Sequence, residues 1–108
     1  MSNNLTTTPL VSVIVNCLNG ERYLKKSLDS IYKQTYENFE IIFWNNGSTD
    51  QSKLIASSYD NKLKLYSSED TVPLGMARNR AIREAKGLYI AFLDVDDWWT
   101  PSKLEKQI

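Results

Sequence analysis

The sequence predicts an α/β fold built on a mainly parallel four-stranded sheet. Four short runs of β-branched and aromatic residues alternate with segments in which apolar residues recur at helical spacing. The connections are short, and this alternation favours parallel strands joined by crossover helices. With 108 residues the chain is at most one domain.

The first strand is predicted from a continuous apolar run, and the first helix from apolar residues at helical spacing. The run LVSVIV at 10–15 is almost unbroken in β-branched residues, which is typical of a strand buried on both faces. After a turn, Leu24, Leu28 and Ile31 recur at helical spacing and predict a helix from about 21 to 35.

The second and third strands flank a short helix. FEIIFW at 39–44 predicts a strand because aromatic and β-branched residues favour that conformation. Ser48 or Thr49 can then cap a helix over about 50–59. Apolar residues alternate with lysines over 62–66, which predicts a half-exposed edge strand.

The last part of the sequence predicts a third helix, a fourth strand and a short terminal helix. Apolar residues at helical spacing indicate a helix over 74–85, and Gly87 stands where a C-cap glycine belongs. LYIAFL at 88–93 predicts the fourth strand. Thr100 and Pro101 are suitable as the N-cap and first residue of a last helix, which we expect to be marginal and to pack poorly.

Composition excludes several classes of function. Lysine plus arginine and aspartate plus glutamate both total 13, and the zero net charge argues against non-specific nucleic-acid binding. The chain has no histidine, which excludes histidine metal sites and Ser-His-Asp triads. Its one cysteine excludes an intrachain disulfide. No apolar run approaches the ~20 residues of a membrane span, so a cytoplasmic protein is expected, with a disordered lead-in over 1–8.

Three polar segments follow predicted strands, at 16–21, 45–50 and 94–97. Open α/β sheets bind ligands beyond the carboxyl ends of their strands. If the strands are parallel, all three segments lie at one edge of the sheet. That edge is therefore the expected ligand site.

The segment DVDD provides the strongest chemical signal. Three carboxylates in four residues repel one another unless a cation or hydrogen-bond donors hold them. Hard oxygen ligands suit Mg²⁺ or Mn²⁺, and Mg²⁺ is typically held by one or two carboxylates together with substrate phosphates. Asp94 and Asp96 are thus candidate ligands of a metal–diphosphate site. The alternative is a solvated acidic turn that caps the next helix, a role that suits Asp97 best.

The other polar segments are less specific. The amides of 45–50 can bind a planar base edge, but the same residues are common in a turn that leads into a helix. The segment 16–21 contains neither a dinucleotide fingerprint nor a Walker A loop, so bound phosphates would need the metal. Cys17 has no histidine to activate it and is interpreted as a small, half-buried residue. Arg78 could reach the cleft or pair with an aspartate.

Taken together, these segments resemble the N-terminal, nucleotide-binding part of a family 2 glycosyltransferase with the GT-A fold. The matching stretches are VSVIVNCLNGERYLKKSLDSIYKQTYENFEIIFWNNGSTD and LGMARNRAIREAKGLYIAFLDVDD, within a resemblance that runs over 9–108. It implies a Rossmann-like sheet of order 3-2-1-4 and metal-assisted sugar transfer from a nucleotide-diphospho-sugar. A UDP-sugar is the common donor, the metal is Mn²⁺ or Mg²⁺, and the acceptor is a saccharide or glycolipid, with no nucleic acid involved.

The resemblance also implies roles for individual residues. The loop after the first strand would contact the nucleobase, with Asn16 and Leu18 where the family often has proline and tyrosine. Asn46 replaces an aspartate that accepts a hydrogen bond from the base, and it can still accept through its carbonyl oxygen. Asp96 would bind the metal, and Asp94 the ribose or the metal through water. The implied nucleotide-sugar site comprises Asn16, Leu18, Asn19, Glu21, Asn46, Arg78, Asp94 and Asp96, with Asp94 and Asp96 as the metal ligands.

The resemblance places the catalytic base in the C-terminal half of the family's domain, beyond residue 108. We therefore expect no catalytic residue in this chain, which would bind nucleotide and metal without transferring sugar. Trp98, Trp99 and the last helix are expected to expose apolar surface and to favour self-association. The full-length protein is expected in the cytoplasm or at the inner face of the membrane.

Three other functions remain open at this stage. Phosphotransfer enzymes of the haloacid-dehalogenase type also place Asp-x-Asp at a strand end, but on the first strand and with threonine or valine where this chain has Trp98. A non-catalytic nucleotide-binding module would explain the replacement of two aspartates by Asn45 and Asn46. A purely structural interaction domain would leave the three polar segments unexplained.

Overall fold

The computed structural model describes residues 8–108, and the predicted lead-in over 1–8 lies almost wholly outside them. Strands and helices alternate along the chain. None of the helices described is long and apolar enough to cross a bilayer. The elements are β1 (Val11–Cys17), α1 (Glu21–Tyr32), β2 (Phe39–Asn46), α2 (Ser52–Ser57), β3 (Leu63–Ser68), α3 (Leu74–Glu84), β4 (Tyr89–Phe92) and α4 (Lys103–Gln107).

The four strands form one parallel sheet in the order β3-β2-β1-β4, which confirms the predicted α/β fold and strand order. Val11 of β1 pairs with Phe39 of β2 on one side and with Tyr89 of β4 on the other. Further along the same strands, Asn16 pairs with Trp44. Because all the strands run in one direction, their carboxyl ends meet at a single edge.

The sheet is covered on both faces, which explains the unbroken apolar run in β1. On one face, Val13 and Val15 pack beneath α1 in a buried cluster that also includes Leu28. On the other, Ile14 and Trp44 join a smaller cluster with residues of α3. A central strand with helices on both sides has no solvent face, so it needs no polar alternation.

The second helix lies within the predicted range of about 50–59, but its predicted capping was wrong. The helix begins at Ser52, and neither Ser48 nor Thr49 caps it. The Ser48 hydroxyl instead accepts a hydrogen bond from the backbone N–H of Asn19, 29 residues earlier in the chain. The Asp50 carboxylate accepts a hydrogen bond from the backbone N–H of Ser52 and so stabilises the turn that leads into the helix.

Gly87 does not cap α3 as predicted. The helix ends at Glu84 and the next residue, Ala85, is already extended. The Gly87 N–H donates to the Ser12 hydroxyl at 2.8 Å, and a Cβ on Gly87 would lie 2.6 Å from the Ser12 nitrogen. Glycine is therefore required here because the chain enters β4 in close contact with β1.

The expectation that the last helix packs poorly was also wrong. The helix spans Lys103–Gln107 rather than starting at Pro101, and Ser102 is its N-cap residue. Leu104 is 1% exposed and belongs to the cluster beneath α1. Trp99 packs against the same cluster, whereas Trp98 remains 45% exposed.

Candidate functional site

A cleft of about 560 Å³ lies at the carboxyl edge of the sheet. It brings together the first and third of the predicted polar segments, as expected for parallel strands. Of the eight expected site residues, five line it. The lining consists of Asn16, Leu18, Asn19, Gly20, Arg22, Tyr23, Asp94, Val95 and Asp96.

The loop between β1 and α1 is fastened to the segment 45–52. The Asn19 backbone is left-handed, with φ of 53°, and its side-chain oxygen accepts the N–H of Thr49 at 2.7 Å. Three consecutive backbone N–H groups, those of Asn19, Gly20 and Glu21, donate to side chains of this segment and are therefore not free to bind a phosphate. The bonds run from Asn19 N to Ser48 Oγ at 2.9 Å, from Gly20 N to Ser52 Oγ at 3.0 Å and from Glu21 N to Asp50 Oδ2 at 3.1 Å.

The pKa values of two ionisable groups near this loop, Cys17 and Asp50, are shifted in opposite directions. Burial raises the pKa of the Cys17 thiol, which is fully buried and so less accessible than predicted. Burial acts to raise the pKa of Asp50 as well, but hydrogen bonds from Ser52 outweigh it and hold that pKa below its ordinary value. Asp50 therefore stays ionised while it holds the N-terminus of α1, and Cys17 stays a neutral packing residue.

Asn16 lines the cleft and has a buried side-chain acceptor. Its side-chain oxygen is inaccessible to solvent and has no hydrogen-bond partner among residues 8–108. A buried polar atom without a partner costs about 1–3 kcal/mol. A ligand N–H placed in the cleft could remove that cost, so Asn16 is a candidate recognition residue.

Both ends of the Asn46 side-chain amide are hydrogen-bonded to the backbone of Val72 rather than facing the cleft. Its amide donates to the Val72 carbonyl at 2.8 Å, and its side-chain oxygen accepts the Val72 N–H at 2.9 Å. The residue is 6% exposed and does not line the cleft. The observed role of Asn46 is therefore to fix the loop between β3 and α3.

Asp94 and Asp96 both line the cleft and are exposed. A terminal nitrogen of Arg78 lies 3.9 Å from the Asp94 carboxylate, and its guanidinium lies over the Phe92 ring at 5.4 Å. Asp97 has the turn role, because its carboxylate accepts the N–H of Trp98 at 2.9 Å.

The two cleft carboxylates fit a divalent cation as part of a larger ligand set. Residues 8–108 contain no cluster of three or more acidic, histidine or cysteine side chains placed to hold a metal. Asp94 and Asp96 are hard oxygen donors, and Mg²⁺ commonly takes only one or two carboxylates with waters and substrate phosphates. The chemistry of this pair therefore matches a metal that a diphosphate ligand helps to hold.

Sequence reasoning missed Arg22 and Tyr23, which line the cleft from the first turn of α1. Their position just after the first polar segment is the signal that could have found them. It also missed why residue 20 is glycine, since a Cβ there would lie 2.8 Å from Val95 Cγ2. Glu21, an expected site residue, contributes its N–H to Asp50 and does not line the cleft.

Comparison with known proteins decides the family. The sequence profile of glycosyl transferase family 2 matches residues 12–108. The chain belongs to family 2 of the glycosyltransferases. Its resemblance to this family, argued above from the motifs, is thereby confirmed.

Relatives and solved structures of glycosyltransferases agree with the assignment. WfgD of Escherichia coli, a UDP-Glc:alpha-D-GlcNAc-diphosphoundecaprenol beta-1,3-glucosyltransferase, is 39% identical over 100 residues, which are 92% of this chain and 40% of WfgD. The crystal structure of S. aureus TarS 1-349 in complex with UDP-GlcNAc has a TM-score of 0.85 and 34% identity, over 90% of this chain and 29% of that one.

A third match concerns a metal-bound complex. The mannosyltransferase PcManGT from Pyrobaculum calidifontis, in complex with GDP-Man and Mn²⁺, has a TM-score of 0.78 and 28% identity over 91% of this chain and 30% of that one. The fold is therefore the GT-A fold of these glycosyltransferases. The chain spans well under half the length of each of these proteins.

Proposed function

We propose that the chain forms the donor-binding part of an enzyme that transfers a sugar from a nucleotide-diphospho-sugar to an acceptor hydroxyl. The observation that carries this proposal is the cleft of about 560 Å³, which is lined by Asp94, Asp96 and Asn16, whose side-chain oxygen has no partner among residues 8–108. Asn16 is suited to accept an N–H of a nucleobase, and Asp94 and Asp96 are suited to a metal that also binds the donor's diphosphate. The complex of TarS with UDP-GlcNAc supports the donor class.

The nucleotide is proposed to bind against the loop between β1 and α1. The side-chain oxygen of Asn16 accepts an N–H of the base, for which the imide of uracil is suitable. Leu18, which is 48% exposed, gives the base an apolar contact. Asn19 holds the loop in shape through Thr49. Glu21 and Asn46 are proposed to support the site indirectly. The Glu21 N–H ties the start of α1 to Asp50, and Asn46 holds the loop between β3 and α3.

Asp94 and Asp96 are proposed to hold a Mn²⁺ or Mg²⁺ ion together with the donor's diphosphate. When bound, the cation supplies charge neutralisation of the departing nucleoside diphosphate. Arg78 lies beside Asp94 and orients that carboxylate. The presence of Mn²⁺ with GDP-Man in PcManGT supports a metal in this position.

We assign no catalytic base to the 108 residues. We propose that the base lies in a part of the protein that this sequence does not include, so the chain alone binds donor without transferring sugar. The proposed acceptor is a hydroxyl of a saccharide or glycolipid. The diphosphoundecaprenol-linked acceptor in the name of WfgD supports the glycolipid alternative.

Self-association is proposed to occur through β4 rather than through the tryptophans. Among the described strands, β4 pairs on one side only, with β1. Leu88 just before it is 72% exposed, and Tyr89 and Phe92 are each 47% exposed. An unpaired edge with apolar side chains is a template for another strand. A concentration-independent monomer mass in sedimentation equilibrium would refute this proposal.

The donor site is tested by calorimetric titration of uridine diphosphate into the chain, with and without Mn²⁺. We expect binding that requires Mn²⁺ and that Asp96→Ala reduces at least tenfold. Asp97→Ala is the matched control: it removes the same charge one residue away, from a side chain outside the cleft. Equal losses in the two variants, or Mn²⁺-independent binding unchanged by Asp96→Ala, would contradict the proposed metal site.

A further inference from the structure

A second groove, of about 550 Å³, lies on the outer face of α1. Four cationic side chains line it: Arg22, Lys25 and Lys26 of α1, and Lys33, the C-cap residue of that helix. Two tryptophans from the segment after β4 form the rest of its wall. We call this surface the basic groove, and nothing in the donor site described above uses it apart from Arg22, which lines both.

The basic groove carries a net positive charge within a chain whose formal net charge is zero. Asp29 is its one carboxylate, and that group already accepts hydrogen bonds from Lys25 at 2.8 Å and from the Tyr59 hydroxyl at 2.7 Å. Arg22, Lys26 and Lys33 form no ion pair with any carboxylate of residues 8–108. Three cations are thus available to an external anion.

The aromatic wall of the basic groove is held in place. The backbone N–H of Trp99 donates to the Ser30 hydroxyl of α1. The side-chain amide of Gln34, just after α1, donates to the Thr100 carbonyl at 2.7 Å. Trp98 is therefore displayed from a fixed backbone while 45% of it stays exposed. The Lys26 ammonium lies 3.6 Å from the centre of its ring.

We propose that the basic groove docks the protein on an anionic lipid bilayer. Tryptophan is enriched at the level of lipid headgroups, and clusters of lysine and arginine are attracted to anionic leaflets. The exposed Trp98 side chain could insert at the level of the lipid headgroups, and the unpaired cations beside it could bind the anionic lipids. Nucleic acid fits less well, because the rest of the chain must carry the negative charge that balances this patch. The inference does not depend on the proposed sugar transfer.

The test is sedimentation of the chain with vesicles of phosphatidylcholine alone and of an equal mixture of phosphatidylcholine and phosphatidylglycerol. We expect binding to the mixed vesicles only. Each lysine near an anionic surface contributes about a fivefold factor, so Lys26→Gln with Lys33→Gln should lower the partition coefficient about 25-fold. Trp98→Ser should lower it severalfold without loss of the melting transition.

The matched control is Arg83→Gln with Lys86→Gln, which removes the same charge from exposed positions on the opposite, α3 side of the sheet. The control should bind like the parent chain. Equal losses in both double variants, or equal binding to both vesicle types, would overturn the proposal. So would binding to polyaspartate as tight as to vesicles and insensitive to Trp98→Ser, which would indicate an acidic protein partner. Calorimetry with uridine diphosphate on the same variants separates this outcome from a failure of the donor site.

Discussion

Glu40 and Ser12 share a hydrogen bond of 2.6 Å inside the sheet, at paired positions of β2 and β1. The same carboxylate accepts the N–H of Lys86 at 2.7 Å and pairs with Lys64 at 3.2 Å. Ser12 in turn accepts the N–H of Gly87. This buried carboxylate therefore ties three strands to the chain entering the fourth. It lies at the amino half of the strands, away from the cleft, so its role is structural.

Replacing Glu40 is expected to destabilise the fold without changing ligand contacts. Glu40→Gln keeps one acceptor oxygen but removes the charge that Lys64 faces, and it puts amide hydrogens where acceptors are needed. The loss should be about 1–3 kcal/mol in the free energy of unfolding, measured by urea denaturation. Glu37→Gln, an exposed neighbour, should change stability by less than about 0.5 kcal/mol. Equal effects of the two substitutions would contradict a buried structural role.

Acidification should unfold the protein through its hydrogen-bonded carboxylates. Burial acts to raise the pKa of Glu40, but the bonds from Ser12, Lys86 and Lys64 bring it below the ordinary 4.5. A carboxyl whose pKa is lower in the folded state adds stability above its unfolded pKa and loses it as pH falls through the folded pKa. Melting temperatures should therefore be level above about pH 5 and fall below it. In Glu40→Gln that fall should be shallower, and an identical slope would refute the assignment.

The two asparagines at the end of β2 should differ in how much stability they lose on replacement by aspartate. In Asn46→Asp, a carboxylate oxygen would face the Val72 carbonyl where an N–H now donates, so we expect a loss of about 1–3 kcal/mol. The Asn45 side chain acts as an acceptor for the N–H of Ser48, a role that aspartate retains. Asn45→Asp keeps that bond but buries a charge, since Asn45 is itself buried, so it should cost less than Asn46→Asp without being neutral. Chemical denaturation of both variants measures their free energies of unfolding. Equal values for the two variants would show that the Val72 contacts do not stabilise the fold.

Gly20 should be intolerant of even one added carbon. A Cβ there meets Val95 at 2.8 Å and the Cys17 sulfur at 3.1 Å, so the β1–α1 loop must move away from Val95 and the carboxylates on either side of it. We expect Gly20→Ala to weaken uridine diphosphate binding about tenfold and to lower stability by about 1–3 kcal/mol. Gly75→Ala meets no atom within 4 Å and should leave binding unchanged while raising helix stability slightly.

The sequence predicted the elements and the site edge because those depend on local signals. Apolar runs, helical spacing and capping residues identified the strands and helices, and parallel strands then required the polar segments to lie at one edge of the sheet. What the sequence did not predict are contacts between residues distant in the chain. Ser48 reads as a helix cap until Asn19 is seen to donate to it, and Asn46 reads as base-binding until Val72 is seen to occupy both of its ends. No local pattern contains such contacts.

Arg22 connects two surfaces, since it lines both the donor cleft and the basic groove. The helix that carries it also holds one cleft loop at its N-terminus and the other through Ser27, whose hydroxyl donates to the Val95 carbonyl at 2.8 Å. If both proposed surfaces bind their ligands, Arg22 is common to both and their occupancies are subject to thermodynamic linkage. Whatever factor a bilayer applies to nucleotide affinity, the nucleotide must apply to bilayer affinity.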